Sequence, residues 1–213
     1  MLLSNDVFQR NDFMKYLYKE GNKEKPVLFI LHGTGGDENS LLALAEIIDP
    51  KASVLSVRGN VLEQGMPRFF RRVAEGVFDM EDLKFRTEEL KNFLDEMSNE
   101  HDFDRQNIIA IGYSNGANIA ANLLFNYENV LKGAILHHPM VPNREAVVQN
   151  QQGVEVFIAA GVNDPICPQE ESIDLQQFLT DAGANVTLEW ESFGHQLTMN
   201  EVQKAKAWYE DKF

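Results

Sequence analysis

The feature that most constrains this chain is a series of short, uninterrupted apolar runs, each closed by Gly or Pro. They are VLFILHG (27–33), SVLSVRG (53–59), NIIAIGY (107–113), GAILHHP (133–139) and VEVFIAAG (154–161). VTLEWESF (186–193) reads as a further strand, and FMKYLYKEG (13–21) alternates as an edge strand does. Continuous apolar runs, rather than alternation, mark strands buried on both faces of a parallel sheet. Helical periodicity fills the gaps between them. Leu90, Phe93, Leu94 and Met97 recur at helical spacing within 86–100, as do Ile173, Leu175, Phe178, Leu179 and Ala182. Near the end, Thr198 and Glu201 have capping-box spacing, and Val202, Ala205, Trp208 and Tyr209 share one face. Strand and helix in alternation predict an α/β fold: a doubly wound, mostly parallel sheet flanked by helices. With 213 residues and no repeat or linker, the chain reads as a single domain over 1–213. In such a sheet, ligands bind beyond the carboxyl ends of the strands.

Composition narrows the partners. Lys and Arg number 19 against 33 Asp and Glu, a net charge of −14, which disfavours phosphate backbones and anionic lipid surfaces. Neither nucleic acid nor membrane is therefore expected as a partner. The single cysteine, Cys167, excludes an intrachain disulfide. The first residues, MLLSNDVFQRNDF, lack a basic segment and a long apolar run, so no signal peptide is read there. A cytoplasmic location follows as the expectation, and whether the chain forms a homodimer is left open.

Two strand ends carry chemistry. In Gly112-Tyr113-Ser114-Asn115-Gly116, glycines stand two residues before and two after a serine, the G-x-S-x-G pattern of a nucleophile elbow. A sharp strand-to-helix turn lifts the serine oxygen clear of the chain, and the helix starting near Asn115 aims its amides at developing negative charge. After the first buried strand comes HGTGGDEN (32–39). It fails as a dinucleotide fingerprint because Glu38 occupies the third glycine position, and it lacks the Gly-Lys-Ser/Thr of a phosphate loop. An open loop whose backbone N–H faces the nucleophile suits it better, making the amides of Thr34 and Asn115 the candidate oxyanion donors.

A serine nucleophile needs a base and an acid. His195 follows the last strand and precedes the capped helix, on the same edge as Ser114. His32 ends a strand and is read as holding the adjacent loop. His137 and His138 are expected on opposite faces of a strand, hence not a metal pair. His101 is expected in solvent. Asp164 lies just beyond VEVFIAA, and an Asx-turn before Pro165 is the competing reading; Glu170 and Glu171 are reserves. The order Ser114, Asp164, His195 is that of α/β-hydrolases. Cys167 reads as a small buried side chain.

These residues resemble those of the α/β-hydrolase superfamily. The chain looks like the small phospholipase/carboxylesterase group, whose relatives include acyl-protein thioesterases and dienelactone hydrolases. The likeness runs from LFILHGTGGDE through RGNV, GYSNGANIA, AGVNDPICP and FGHQLT, and is greatest to short bacterial carboxylesterases with RGNVLEQGMPRFFRR and GVFD. It implies Ser114 as nucleophile, Asp164 as acid, His195 as base, and Thr34 and Asn115 as oxyanion donors, in a minimal fold without lid, metal or cofactor. The expected substrate is a small carboxylic ester, with acyl thioesters or lysophospholipids as alternatives and a non-catalytic small-molecule binder as the other class. Serine stands where dienelactone hydrolases carry cysteine, which argues against cyclic enol-lactones.

Arg68-Phe69-Phe70-Arg71-Arg72 places three arginines beside two aromatics in an acidic chain. One reading puts Phe69 and Phe70 in an acyl or aryl pocket with an arginine attracting an anionic group. The other pairs the arginines with Glu75, Asp79, Glu81 and Asp82 as loop braces. Met140 and Ile166 are candidate substrate contacts, and Met66 also falls in a rim loop.

Overall fold

Alternate residues of the buried runs enter two different cores. Phe29 and Leu31 pack on one side with Ile108 and Ala110, whereas Leu28 and Ile30 pack on the other with Ile109 and Ile111. This is the two-residue period of a strand sandwiched between helix layers. The computed structural model describes residues 14–213; the opening segment, read above as lacking a signal peptide, lies outside the described residues.

The elements follow in chain order. An edge strand β1 (Tyr16–Lys19) and β2 (Val27–Leu31) precede a short helix α1 (Leu42–Ile48) and β3 (Val54–Val57). Two small hairpins come next, β4 (Val61–Glu63) with β5 (Met66–Arg68), then β6 (Arg72–Ala74) with β7 (Val77–Phe78). Then come α2 (Met80–Glu100), β8 (Ile108–Tyr113), α3 (Asn115–Asn126) and β9 (Gly133–His137). The chain finishes with β10 (Glu155–Gly161), α4 (Gln169–Asp181), β11 (Asn185–Glu191) and α5 (Met199–Lys212). The main sheet runs β1-β3-β2-β8-β9-β10-β11, parallel throughout except for β1, which pairs antiparallel with β3. The order reverses between β3 and β8, so the carboxyl ends of β2 and β8 open the crevice of a doubly wound sheet.

Helices α1 and α5 cover one face through Leu44, Ile48, Val202, Ala205 and Tyr209. The other face is covered by α2, α3 and α4, through Leu90, Leu94, Ile119, Leu123, Leu175 and Leu179. Periodicity alone starts α2 near residue 86, but it begins at Met80 because the Asp79 carboxylate accepts the Asp82 N–H at 3.0 Å and caps it. In α5 the Thr198–Glu201 capping box forms as the spacing predicts. The hairpins and α1 are too short for periodicity to reveal. His101, expected in solvent, ends α2 and stacks on Tyr18 with centroids 3.9 Å apart. Burial pushes its pKa below the ordinary histidine value. None of the helices among the described residues is long and apolar enough to cross a membrane.

Candidate active site

Where β8 hands over to α3, Ser114 takes φ 52° and ψ −114°, a conformation that non-glycine residues rarely adopt. It is held there from both sides: the Ser114 N–H donates to the His137 carbonyl, and the Asn118 N–H donates to the Ser114 carbonyl, both at 2.9 Å. The flanking glycines permit close packing of α3. A Cβ on Gly116 would lie 2.1 Å from the Leu31 carbonyl oxygen, and one on Gly112 would lie 2.6 Å from the Ala117 backbone. Both are needed for α3 to start directly against β2 and β8. Backbone strain of this kind is of order 1–3 kcal/mol and persists only where the surroundings over-determine it.

Three loops at the carboxyl edge converge on Ser114. The His195 Nε2 lies 2.8 Å from Ser114 Oγ, and its Nδ1 lies 2.7 Å from Asp164 Oδ2. A carboxylate only accepts, so Nδ1 carries the proton and Nε2 is left to accept from the serine hydroxyl. Asp164 is fixed in turn by the Ile166 and Cys167 amides, which donate to Oδ1 at 2.8 and 2.9 Å. Its Asx-turn and its contact with the imidazole thus coexist, one on each carboxylate oxygen. Burial raises its proton affinity, but the Cys167 amide, His195 and the Ile166 amide outweigh that, and its pKa falls below the ordinary aspartate value. Glu170 and Glu171 begin α4 instead, with Glu171 bound to Arg144 and the Val141 amide. Cys167 is buried, and desolvation pushes its thiol pKa far up, leaving a poor nucleophile.

The loop after β2 brings Thr34 to the same cavity, beside Ser114 and Asn115. As the first residue of α3, Asn115 has an amide with no helical acceptor one turn back. Its side chain is occupied elsewhere, with Oδ1 accepting the Phe69 N–H at 2.7 Å. His32 holds the loop. Its Nδ1 lies 2.6 Å from the Gly33 carbonyl, and Gly59 N–H donates to its Nε2 at 3.1 Å. Burial lowers its pKa, consistent with a neutral ring that donates from Nδ1 and accepts at Nε2.

The cavity over Ser114 holds about 250 Å³. Met140 and Ile166 line it, as do Phe78 and Tyr113. Phe69 and Phe70 do not. Both are fully buried, Phe69 against His32 and Phe70 edge-on to Phe78, so the expectation that they form the acyl or aryl wall is corrected. The β4–β5 hairpin folds back and sends them under the loops, and half-buried Phe78 lines the cavity instead.

Arg68 and Arg72 do line the cavity, yet both converge on Glu63, at 3.2 and 2.9 Å. Arg68 is 3% exposed, and it also donates to Thr34 Oγ1 at 2.9 Å and the Phe70 carbonyl at 3.2 Å. Arg71 pairs with Asp79 and Asp82, two of the four acids expected as braces. Glu63 was not among them.

Sequence reasoning also missed what lies behind Asp164. His137 and His138, expected on opposite faces, both reach Glu201 Oε2, at 3.4 and 3.1 Å. The strand ends at His137, and His138 turns with φ 51°, so alternation no longer applies. Glu201 was visible only as a helix cap. His138, Asp164 and His195 bring ligand-type atoms within 4.8 Å of one another, a spacing their mutual hydrogen bonds already explain. As an assembly, the site offers a hydroxyl joined to an imidazole and carboxylate, with Thr34 and Asn115 lining the same cavity. Such a set can transfer an acyl group.

Comparison with known proteins agrees with this architecture. A family model described as phospholipase/carboxylesterase matches residues 15–211. MhqD of Bacillus subtilis (strain 168), named as a hydrolase, is 55% identical over 198 residues, covering 93% of this chain and 98% of the relative. A Bacillus cereus carboxylesterase of known structure superimposes with a TM-score of 0.94 at 65% identity, over 95% of this chain and 96% of that one. YahD, solved with malic acid, gives 0.88 at 37% identity, over 94% and 100%.

Proposed function

We propose that this chain, which belongs to the phospholipase/carboxylesterase family of α/β-hydrolases, is a serine carboxylesterase acting on small carboxylic esters. The observation that carries the reading is the unbroken chain from Ser114 Oγ through His195 to Asp164, at 2.8 and 2.7 Å. Ser114 Oγ attacks the ester carbonyl while His195 Nε2 takes its proton, and Asp164 stabilises the imidazolium. The tetrahedral oxyanion is received by the Thr34 and Asn115 amides at the positive end of α3. Collapse expels the alcohol, which leaves with the proton from His195. Water then enters, gives its proton to His195 and adds to the acyl-enzyme. Collapse of this second intermediate releases the acid and returns the proton to Ser114.

The 250 Å³ cavity favours compact acyl groups over long chains. A fluorophosphonate probe tests the nucleophile: the intact protein gains the probe's mass, and Ser114→Ala does not. Absence of labelling on folded wild-type protein would favour a binding protein instead. A panel of p-nitrophenyl esters of increasing length, run beside acyl-CoA thioesters, separates esterase from thioesterase.

A further inference from the structure

Asp164 Oδ2 is shared. Besides His195 Nδ1 at 2.7 Å, it faces His138 Nδ1 at 3.1 Å, and the two imidazole centroids are 5.3 Å apart. The other nitrogen of His138, Nε2, lies 3.1 Å from Glu201 Oε2 and 3.5 Å from Oε1. A neutral imidazole has one N–H and one lone pair, so between two carboxylates it would turn that lone pair towards an anionic oxygen. Both carboxylates hold acceptor positions: Asp164 Oδ1 takes two amides, and Glu201 Oε1 takes the Thr198 N–H. With every neighbour an acceptor, the ring must donate twice.

We infer that His138 is a positioning residue for the proposed triad: held as an imidazolium between Asp164 and Glu201, it locks the Asp164 carboxylate in its pose towards His195. The inference rests on the triad reading above. Each element packed against the ring contributes a group. The loop after β10 gives Asp164, and the loop after β11 gives His195. Glu201 comes from α5, and His137 at the end of β9 faces Glu201 rather than His138 itself. From β8, the Tyr113 ring stands edge-on at 6.0 Å, and the Cys167 thiol donates to the His138 carbonyl at 3.4 Å. The local charge is thus two carboxylates against one imidazolium, before His195 takes any proton.

Burial opposes charge on His138, but Glu201 and Asp164 outweigh it and push its pKa above the ordinary histidine value. Glu201 is likewise held at about 2: burial would raise it, and the bonds to His137 and His138 prevail. The function that follows is orientation: with Oδ1 held by two amides and Oδ2 facing His138, Asp164 keeps one pose towards His195 Nδ1.

Two measurements decide. Long-range ¹H–¹⁵N spectra of the imidazole rings at pH 8 should contain a ring protonated on both nitrogens, absent in His138→Gln. If no such ring exists, or if it persists in that variant, the inference is overturned. The spectrum of the wild-type protein needs neither turnover nor a foldable variant, so it stands apart from the esterase reading. For kinetics, His138→Gln should lose about tenfold in kcat on p-nitrophenyl acetate with KM little changed, because the acid that orients His195 is loosened while no substrate contact is removed. Unchanged kcat, or a loss confined to KM, would leave His138 as packing only and overturn the role assigned to it.

Discussion

Tyr113, the residue before the elbow serine, donates its hydroxyl to the backbone carbonyl of His195 across 2.6 Å. Its ring also meets the loop after β2, where a Cβ on Gly33 would lie 2.7 Å from its Cδ1. One side chain therefore ties the loop carrying His195 and the loop after β2 to the strand that leads into Ser114. Burial raises the phenol pKa, with Glu201 and Asp164 adding to it, so the hydroxyl remains a donor.

Tyr113→Phe keeps the ring and removes that donor. A buried hydrogen bond contributes about 1 kcal/mol net, so kcat should fall roughly threefold to tenfold. KM should change little, because no substrate contact is removed. Unchanged kcat in steady-state assays would reduce Tyr113 to a packing residue.

Gly116→Ala tests the elbow. The added methyl meets a backbone carbonyl at 2.1 Å, and neither β2 nor α3 can yield without opening the sheet. Overpacking against a rigid neighbour costs about 3 kcal/mol, which chemical denaturation should register as a lower midpoint. Gly65, with open space where its Cβ would be but φ +81°, is the useful comparison: there only backbone strain is at stake.

Arg68→Met addresses the arginine cluster. The guanidinium is committed to Glu63, Thr34 and the Phe70 carbonyl, so its loss should loosen the loop after β2 whatever the substrate. We expect about a tenfold fall in kcat/KM for neutral and anionic esters alike, since small misplacements of a positioning group are costly. Selective loss on the anionic ester would restore a substrate-binding role.

Glu201 predicts an acid limit to stability. Its pKa falls from 4.5 to about 2 on folding. A depressed carboxylate contributes stability that is present above the unfolded value and is lost as pH falls through the folded one. Between pH 5 and pH 2 the wild-type Tm should therefore drop more steeply than that of Glu201→Gln, which already lacks the charge at pH 7. His138 works in the opposite sense. Its raised pKa stabilises fully below the ordinary value of 6.5, and that contribution is lost as pH rises through the folded value. Thermal melts across pH 2–9 check both slopes.

Much of this molecule follows from short-range pattern. Short apolar runs with Gly or Pro at or near their ends marked five of the six parallel strands, because burial on both faces leaves little room for polar residues; the half-exposed edge strand β11 was read from VTLEWESF. The elbow was legible in GYSNG, since two glycines are what close helix packing requires. Asp164 and His195 were legible from chain order and from lying just past strand ends. Tertiary structure decided what depends on how separate loops meet. Phe69 and Phe70 went to the core rather than the cavity because the β4–β5 hairpin folds back under the loop after β2. Glu63, 5 and 9 residues from Arg68 and Arg72, captured both by the same return of chain. His138 lost its strand alternation through one left-handed residue, and α5 brought Glu201 beside it from 63 positions away. Periodicity records which residues avoid water. It carries no record of which loop ends a parallel sheet sets side by side, and there the imidazoles and carboxylates of this site find one another.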